Sequence, residues 1–73
     1  MLEYRVGDRV KAKFQKYGEH IVIGTITEIE ARQGKMWVVI EVTGQYVTDP
    51  DVQWMVDNHV NILLPMSDII SRI

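Results

Sequence analysis

The chain contains no cysteine among its 73 residues. That excludes a disulfide framework and a thiolate metal site. A domain near the lower size limit for a self-sufficient core thus has no covalent staple and depends on its core or on association. Also missing is any run of about 18 apolar residues, the length a bilayer-spanning helix requires. The opening Met1-Leu2-Glu3-Tyr4-Arg5 holds no apolar stretch of signal-peptide length. The expectation is a soluble, cytoplasmic protein without a membrane partner.

Charge of one sign is lacking in bulk. A formal net charge of −2 does not describe a globally basic nucleic-acid binder. The distribution is nevertheless uneven. Residues 1–18 carry Arg5, Arg9, Lys11, Lys13 and Lys16 against Glu3 and Asp8, whereas residues 19–73 carry Arg32, Lys35 and Arg72 against eight acids. With 47% hydrophobic and 25% charged residues, the composition is that of a folded chain, and its length predicts a single domain over 1–73.

Hydrophobic periodicity gives the elements. After the turn triplet Val6-Gly7-Asp8, the residues Val10, Ala12 and Phe14 alternate with Arg9, Lys11 and Lys13, a strand with one buried and one basic face. Gln15 to Glu19, centred on Tyr17-Gly18, reads as a loop. His20 to Glu30 is rich in β-branched residues and reads as a second strand. Gly24 inside it predicts a bulge, a bend or a close backbone approach, and Ile26 with Ile29 breaks the alternation in the same sense. Ala31 to Lys35 reads as a hairpin loop with Gly34 at positive φ. Met36 to Thr43 is a third strand, with Met36, Val38, Ile40 and Val42 on one face. Gly44-Gln45 ends it or starts a tight turn before a short extended piece at Tyr46-Val47, and Thr48-Asp49-Pro50-Asp51 is a stop signal. Residues 51–58 read as a helical turn or two capped by Asp51, with Val52, Met55 and Val56 inward, or as a loop pinned by Trp54. His59 to Leu64 is the fourth strand, and Pro65 to Ile73 a 3₁₀ turn and a short last strand.

The pattern Val6-Gly7-Asp8-Arg9-Val10, then Gly24-Thr25-Ile26, resembles the opening of SH3-like barrels such as KOW and Tudor modules. The ending Val60-Asn61-Ile62-Leu63-Leu64-Pro65, a turn, and Ile69 to Ile73 resembles the plasmid-encoded type II dihydrofolate reductases. The resemblance implies an all-β fold: a five-stranded, strongly bent SH3-like barrel with one short helical or loop insertion before the fourth strand. It also implies oligomers around a shared pore. The reductase active-site strand reads Val-Gln-Ile-Tyr before a proline. Here Asn61 and Leu63, or Ile62 and Leu64, take the glutamine and tyrosine positions, and the family's lysine falls on Ala12. The active-site residues are not matched. By analogy, barrels of this kind serve as accessory proteins of phages or mobile elements.

No constellation of side chains specifies chemistry. His20 and His59 have no ligand partner at helical spacing, and a metal site would need carboxylates from other strands. Asp49, Asp51, Asp57 and Asn58 hint at calcium, but Trp54 stands where an EF-hand loop needs glycine and no glutamate closes it. Glu28, Glu30 and Glu41 form the solvated face of a sheet before they form a catalytic pair, and no nucleophile arrangement can be placed. No catalytic, cofactor or metal residue is therefore assigned, and a non-enzymatic protein is expected.

Two features call for a partner. Ile21-Val22-Ile23, Met36 to Ile40 and Val60 to Leu64 are apolar on both faces, yet a small barrel has one interior. The insertion carries further large apolar groups. These predict homo-oligomerisation and docking of an unidentified protein through Trp37, Val39, Tyr46, Trp54, Met55, Ile62 and Leu64. The alternatives are a KOW-type nucleic-acid binder using Arg9, Lys11 and Lys13 with Tyr4 or Tyr17 as stacking surfaces, and a divergent oligomeric enzyme of reductase shape.

Overall fold

The computed structural model describes residues 3–15, 18–46 and 48–73. In chain order these form β1 (Arg9–Gln15), β2 (Glu19–Arg32), β3 (Lys35–Gln45), α1 (Pro50–Asp57), β4 (Asn61–Pro65), a 3₁₀ turn (Met66–Asp68) and β5 (Ile69–Arg72). The strands make one antiparallel sheet in the order β4-β3-β2-β1-β5, with β4 and β5 at its edges. The all-β class, the five strands and a short helix before β4 all follow the sequence expectation.

The sheet is strongly bent, and β2 shows why. Its 14 residues would extend about 45 Å if straight, but the longest dimension of the molecule is 35 Å. The first half of β2 pairs with β1, while Val22 to Arg32 pairs with β3. Bulges interrupt the β2–β3 ladder between Ile23 and Gly24 and between Ile26 and Glu28, the two places where the alternation of the sequence fails. A third lies between Lys11 and Ala12 opposite β5. Each extra residue adds local twist, so β2 turns from one half of a barrel-like sheet into the other. Gly24 is required at the bend, because a Cβ there would lie 2.4 Å from the Glu41 carbonyl oxygen and 2.4 Å from Ile40 Cγ2.

One core fills the concave side. Val10 and Ala12 of β1, Val22 and Ile26 of β2, Val38, Ile40 and Val42 of β3, Ile62 and Leu64 of β4, and Ile69 of β5 are buried. Burying such side chains is worth about 1.5–3 kcal/mol each for the larger ones, and it fixes the register because a one-residue slip would turn every one of them outward. Tyr4 is also buried, at 8% exposure, beneath the Arg72 guanidinium 5.3 Å from its ring. It is not the exposed stacking surface that the sequence reading assigned to it. Tyr17, the alternative, lies outside the described residues.

Several boundaries differ from expectation: β2 begins at Glu19 and β3 runs on past Thr43 to Gln45. The β2–β3 hairpin closes on two residues only, Gln33 (φ 51°) and Gly34 (φ 75°), because both adopt the left-handed conformation of a tight hairpin turn. The helix begins at Pro50, so its cap is Asp49 and not Asp51: Asp49 accepts the Asp51 backbone N–H at 3.0 Å, and Pro50 has no N–H to satisfy. His59 is a left-handed turn residue (φ 52°), and the fourth strand starts later, at Asn61.

Candidate functional site

Strand alternation puts Arg9, Lys11 and Lys13 on the convex side of β1, since Val10 and Ala12 between them have 0% exposure. Their cross-strand neighbours are Thr25, Ile23 and Ile21. Tyr46, 62% exposed, joins this stripe at the end of β3, with the Lys11 ammonium 4.2 Å from its ring. The basic strand expected from sequence thus acquires one aromatic partner, a cation–π pair.

A second outer surface covers β3 and β4. Trp37 lies opposite Pro65, Val39 opposite Leu63 and Glu41 opposite Asn61. On the other side of β3, Glu28 flanks Val39 and Glu30 flanks Trp37. Trp37 and Val39 are half-buried and Leu63 is 43% exposed. The structure therefore brings two of the seven apolar candidates, Trp37 and Val39, onto one face. Ile62 and Leu64 point the other way, into the core at 6% and 4% exposure. The outward apolar residue of β4 is Leu63, which the sequence reading passed over: in a run apolar at 62, 63 and 64, alternation carries no contrast to tell the faces apart.

α1 does not cover this surface. Val52 is wholly buried, and Met55 and Val56 pack against the same core cluster, so the helix closes the core instead of the convex face. Trp54 is left outward, 62% exposed. Together with Phe14, Met55, Val60 and Leu63 it lines an open cleft of about 360 Å³ at the start of β4. Trp54 and Leu63 link the insertion to the outer face of β4.

The insertion is held in place by a side-chain pair that the sequence analysis missed. His20 Nδ1 donates to Asp49 Oδ2 at 2.6 Å, across 29 residues, and the His20 side chain is 10% exposed. Gln45 Oε1 accepts the Asp49 backbone N–H at 2.9 Å, while Gln45 Nε2 donates to Gln53. The His20 hydrogen bond, followed by the backbone N–H groups of Asp51 and Val52, holds the Asp49 carboxyl below its usual pKa. Asp51 Oδ2 is 3.8 Å from His20 Nε2, and one donor atom from each of His20, Asp49 and Asp51 lies within 4.8 Å of the others, a set that could hold a divalent cation. Asp49 and the imidazole are already engaged with each other and with the helix cap, which makes the group a clasp between β2 and α1. The analogous tie at the other end is Asp8, whose pKa is lowered by the Arg5 backbone N–H and by Arg72.

The two placements of the reductase active-site positions fall on opposite sides of β4. Ile62 and Leu64 are core residues, Asn61 and Leu63 face outward, and Ala12 is buried. Among the described residues no helix is long and apolar enough to cross a membrane. Compared with known protein families, curated proteins and solved structures, the chain matches none.

Proposed function

We propose that this domain is a non-enzymatic protein-interaction module of SH3-like shape that associates with itself. The observation that carries the reading is the apolar strip Trp37, Val39 and Leu63 on the convex face, continuous at Leu63 with the Trp54 cleft and left open by α1. Stable interfaces bury about 800 Å² per partner, about a sixth of the 4825 Å² exposed by the chain. A contact centred on Leu63 and reaching Trp37 on one side and Trp54 on the other is of the right kind, since large aromatic groups dominate interface energetics.

Size-exclusion chromatography with light scattering tests it. The wild type is expected above the monomer mass of 8.5 kDa, and Leu63→Lys is expected to return it to monomer with an unchanged circular-dichroism spectrum. A wild type that stays monomeric at every concentration refutes the reading.

One observation favours a second reading. Tyr46 stacked on Lys11 within the Arg9, Lys11, Lys13 stripe is the kind of aromatic and basic pairing that binds single-stranded nucleic acid. Binding of an oligonucleotide that weakens steeply with salt, and that is lost in Lys11→Glu/Lys13→Glu, would support it.

A further inference from the structure

We infer that the open edge of β4 receives an extended segment of another protein as a further strand, with one large apolar side chain in the Trp54 cleft and a basic side chain beside Asn61. The inference goes beyond the self-association proposed above. It shares the cleft with that contact, but the pairing lies in the plane of the sheet and not on its convex face.

The ladder between β3 and β4 decides which main-chain groups are free. The Val42 N–H donates to the Val60 carbonyl at 3.0 Å. Val42–Val60 is thus a hydrogen-bonded pair, and further along the ladder so are Ile40–Ile62 and Val38–Leu64. Asn61 and Leu63 alternate with these, so their N–H and C=O groups point away from β3. β4 is an edge strand, and no hydrogen bond to another described residue takes up those groups. They form a template for one more antiparallel strand, which would exchange N–H and C=O bonds with both residues.

The cleft lies against the same stretch. Phe14, Met55 and Ile62 belong to the core or pack against it, whereas Trp54 and Leu63 are exposed. Phe14 stands where β1 runs on past its pairing with β5, which ends at Ala12. The cleft is therefore the seam at which the bent sheet is left open. A residue placed opposite Ile62 on an added strand shares its inward face and enters there.

Charge sets the partner's chemistry and argues against β4 of a second copy. One cross-strand row runs Arg9, Thr25, Glu41, Asn61 and ends at the open edge. Strands lie about 4.8 Å apart, so a residue added beside Asn61 stands as far from Glu41 on one side as Arg9 does on the other. A lysine or arginine side chain spans that gap, and Glu41 has no ion-pair partner among the described residues. At the far end of β4, Lys35 lies over Trp37, the residue opposite Pro65, and a cation added there would meet a cation. The basic residue thus belongs at the Asn61 end, which in an antiparallel strand is C-terminal to the apolar residue. A second β4 carries no charge to offer and would bring its own Glu41 alongside.

The acetylated and amidated peptide Thr-Thr-Val-Phe-Lys-Thr places valine, phenylalanine and lysine opposite Leu63, Ile62 and Asn61. In heteronuclear NMR of the full chain, the Asn61 and Leu63 amides are expected to exchange at least about tenfold more slowly when this peptide is saturating than in the free protein. Three N-methylated forms separate edge pairing from docking by side chains alone. A methyl on the valine or the lysine nitrogen, each facing β4, is expected to weaken binding at least about tenfold. A methyl on the phenylalanine nitrogen, which faces away, is expected to leave affinity within about threefold. No saturable binding of the parent peptide, or equal loss from all three methylations, overturns the inference. Slow exchange at Asn61 and Leu63 without peptide, growing with protein concentration, overturns it too, because a second copy then fills the edge. Light scattering of the wild type alone reads self-association separately. A monomer that binds the peptide in this pattern removes the reading above and leaves this one standing, and an oligomer that does not bind it does the reverse.

Discussion

Replacing Gly24 by alanine tests the bend on which both outer surfaces depend. The added Cβ would stand 2.4 Å from the Glu41 carbonyl oxygen, 2.4 Å from Ile40 Cγ2 and 3.1 Å from the Glu41 carbonyl carbon. Non-bonded carbons prefer about 3.5–4.0 Å, so the new methyl overlaps a side chain and a main chain by more than about 1 Å at once. Neither neighbour can yield cheaply. Ile40 is fully buried, and the Glu41 backbone is held between β2 and β4 through the pairs Thr25–Glu41 and Glu41–Asn61. β2 and β3 must therefore part at the bulge. Overpacking costs about 1–3 kcal/mol, and weakening one ladder hydrogen bond adds about 1 kcal/mol, for a total of about 2–4 kcal/mol. A domain of this length has about 4–11 kcal/mol of stability in all, and each kcal/mol moves Tm by about 4–8 °C. Gly24→Ala should thus lose about 8–30 °C in a thermal melt followed by far-ultraviolet circular dichroism, with a matching fall in urea midpoint. A variant within about 0.5 kcal/mol of the wild type, well inside the range of neutral surface changes, would mean that β2 and β3 do not approach as described.

Three further expectations are independent of that one. Asp49 and Asp8 both have pKa values held below the unfolded value, so what they contribute is complete above about pH 4 and is lost as pH falls through the lowered values. Stability should therefore decline from about pH 4 downward, and Asp49→Asn should flatten that acid limb without abolishing it, as read from urea midpoints at a series of pH values. An unaltered slope would remove the clasp. Gln33 occupies a left-handed position that asparagine adopts more readily, so Gln33→Asn should raise stability by about 0.5 kcal/mol, seen as a Tm a few degrees higher. Trp54→Ala should weaken self-association while leaving the melt within about 0.5 kcal/mol of the wild type, because the side chain is 62% exposed.

How much of this was legible in the sequence depended on contrast. Where apolar and charged residues alternate, as in β1, the inward set could be read off directly. Where a local exception has a local cause, as at Gly24 and at the Ile26–Ile29 break, the bend was readable too, and so was the inward face of α1 from Val52, Met55 and Val56. The cap was misplaced by two residues because two aspartates flank Pro50, and the deciding fact is that proline tolerates the first helical position. On β4 three consecutive apolar residues removed the contrast, so Ile62 and Leu64 were assigned to the surface that Leu63 occupies. His20–Asp49 and Tyr4–Arg72 were beyond reach for a different reason: each joins residues far apart in sequence, and no local pattern marks either partner.

The two edges of the sheet, β5 and β4, differ in what keeps a further strand from pairing beside them. β5 is short, is offset by the bulge at Lys11–Ala12, and ends on Arg72, which is tied to Asp8 and to the Glu3 carbonyl oxygen. These are the features that blunt an edge against further strands. β4 is also short and ends on Pro65, but residues 60–67 include no charged side chain and Leu63 is exposed. Left alone, it invites a second β4 to pair beside it. That arrangement would draw together two copies of the Glu28 and Glu41 surface, which lies one and two strands inward, and two Pro65 residues that lack a main-chain donor. The carboxylates beside Val39 and Leu63 therefore discourage the edge-to-edge pairing that an uncharged strand would otherwise permit.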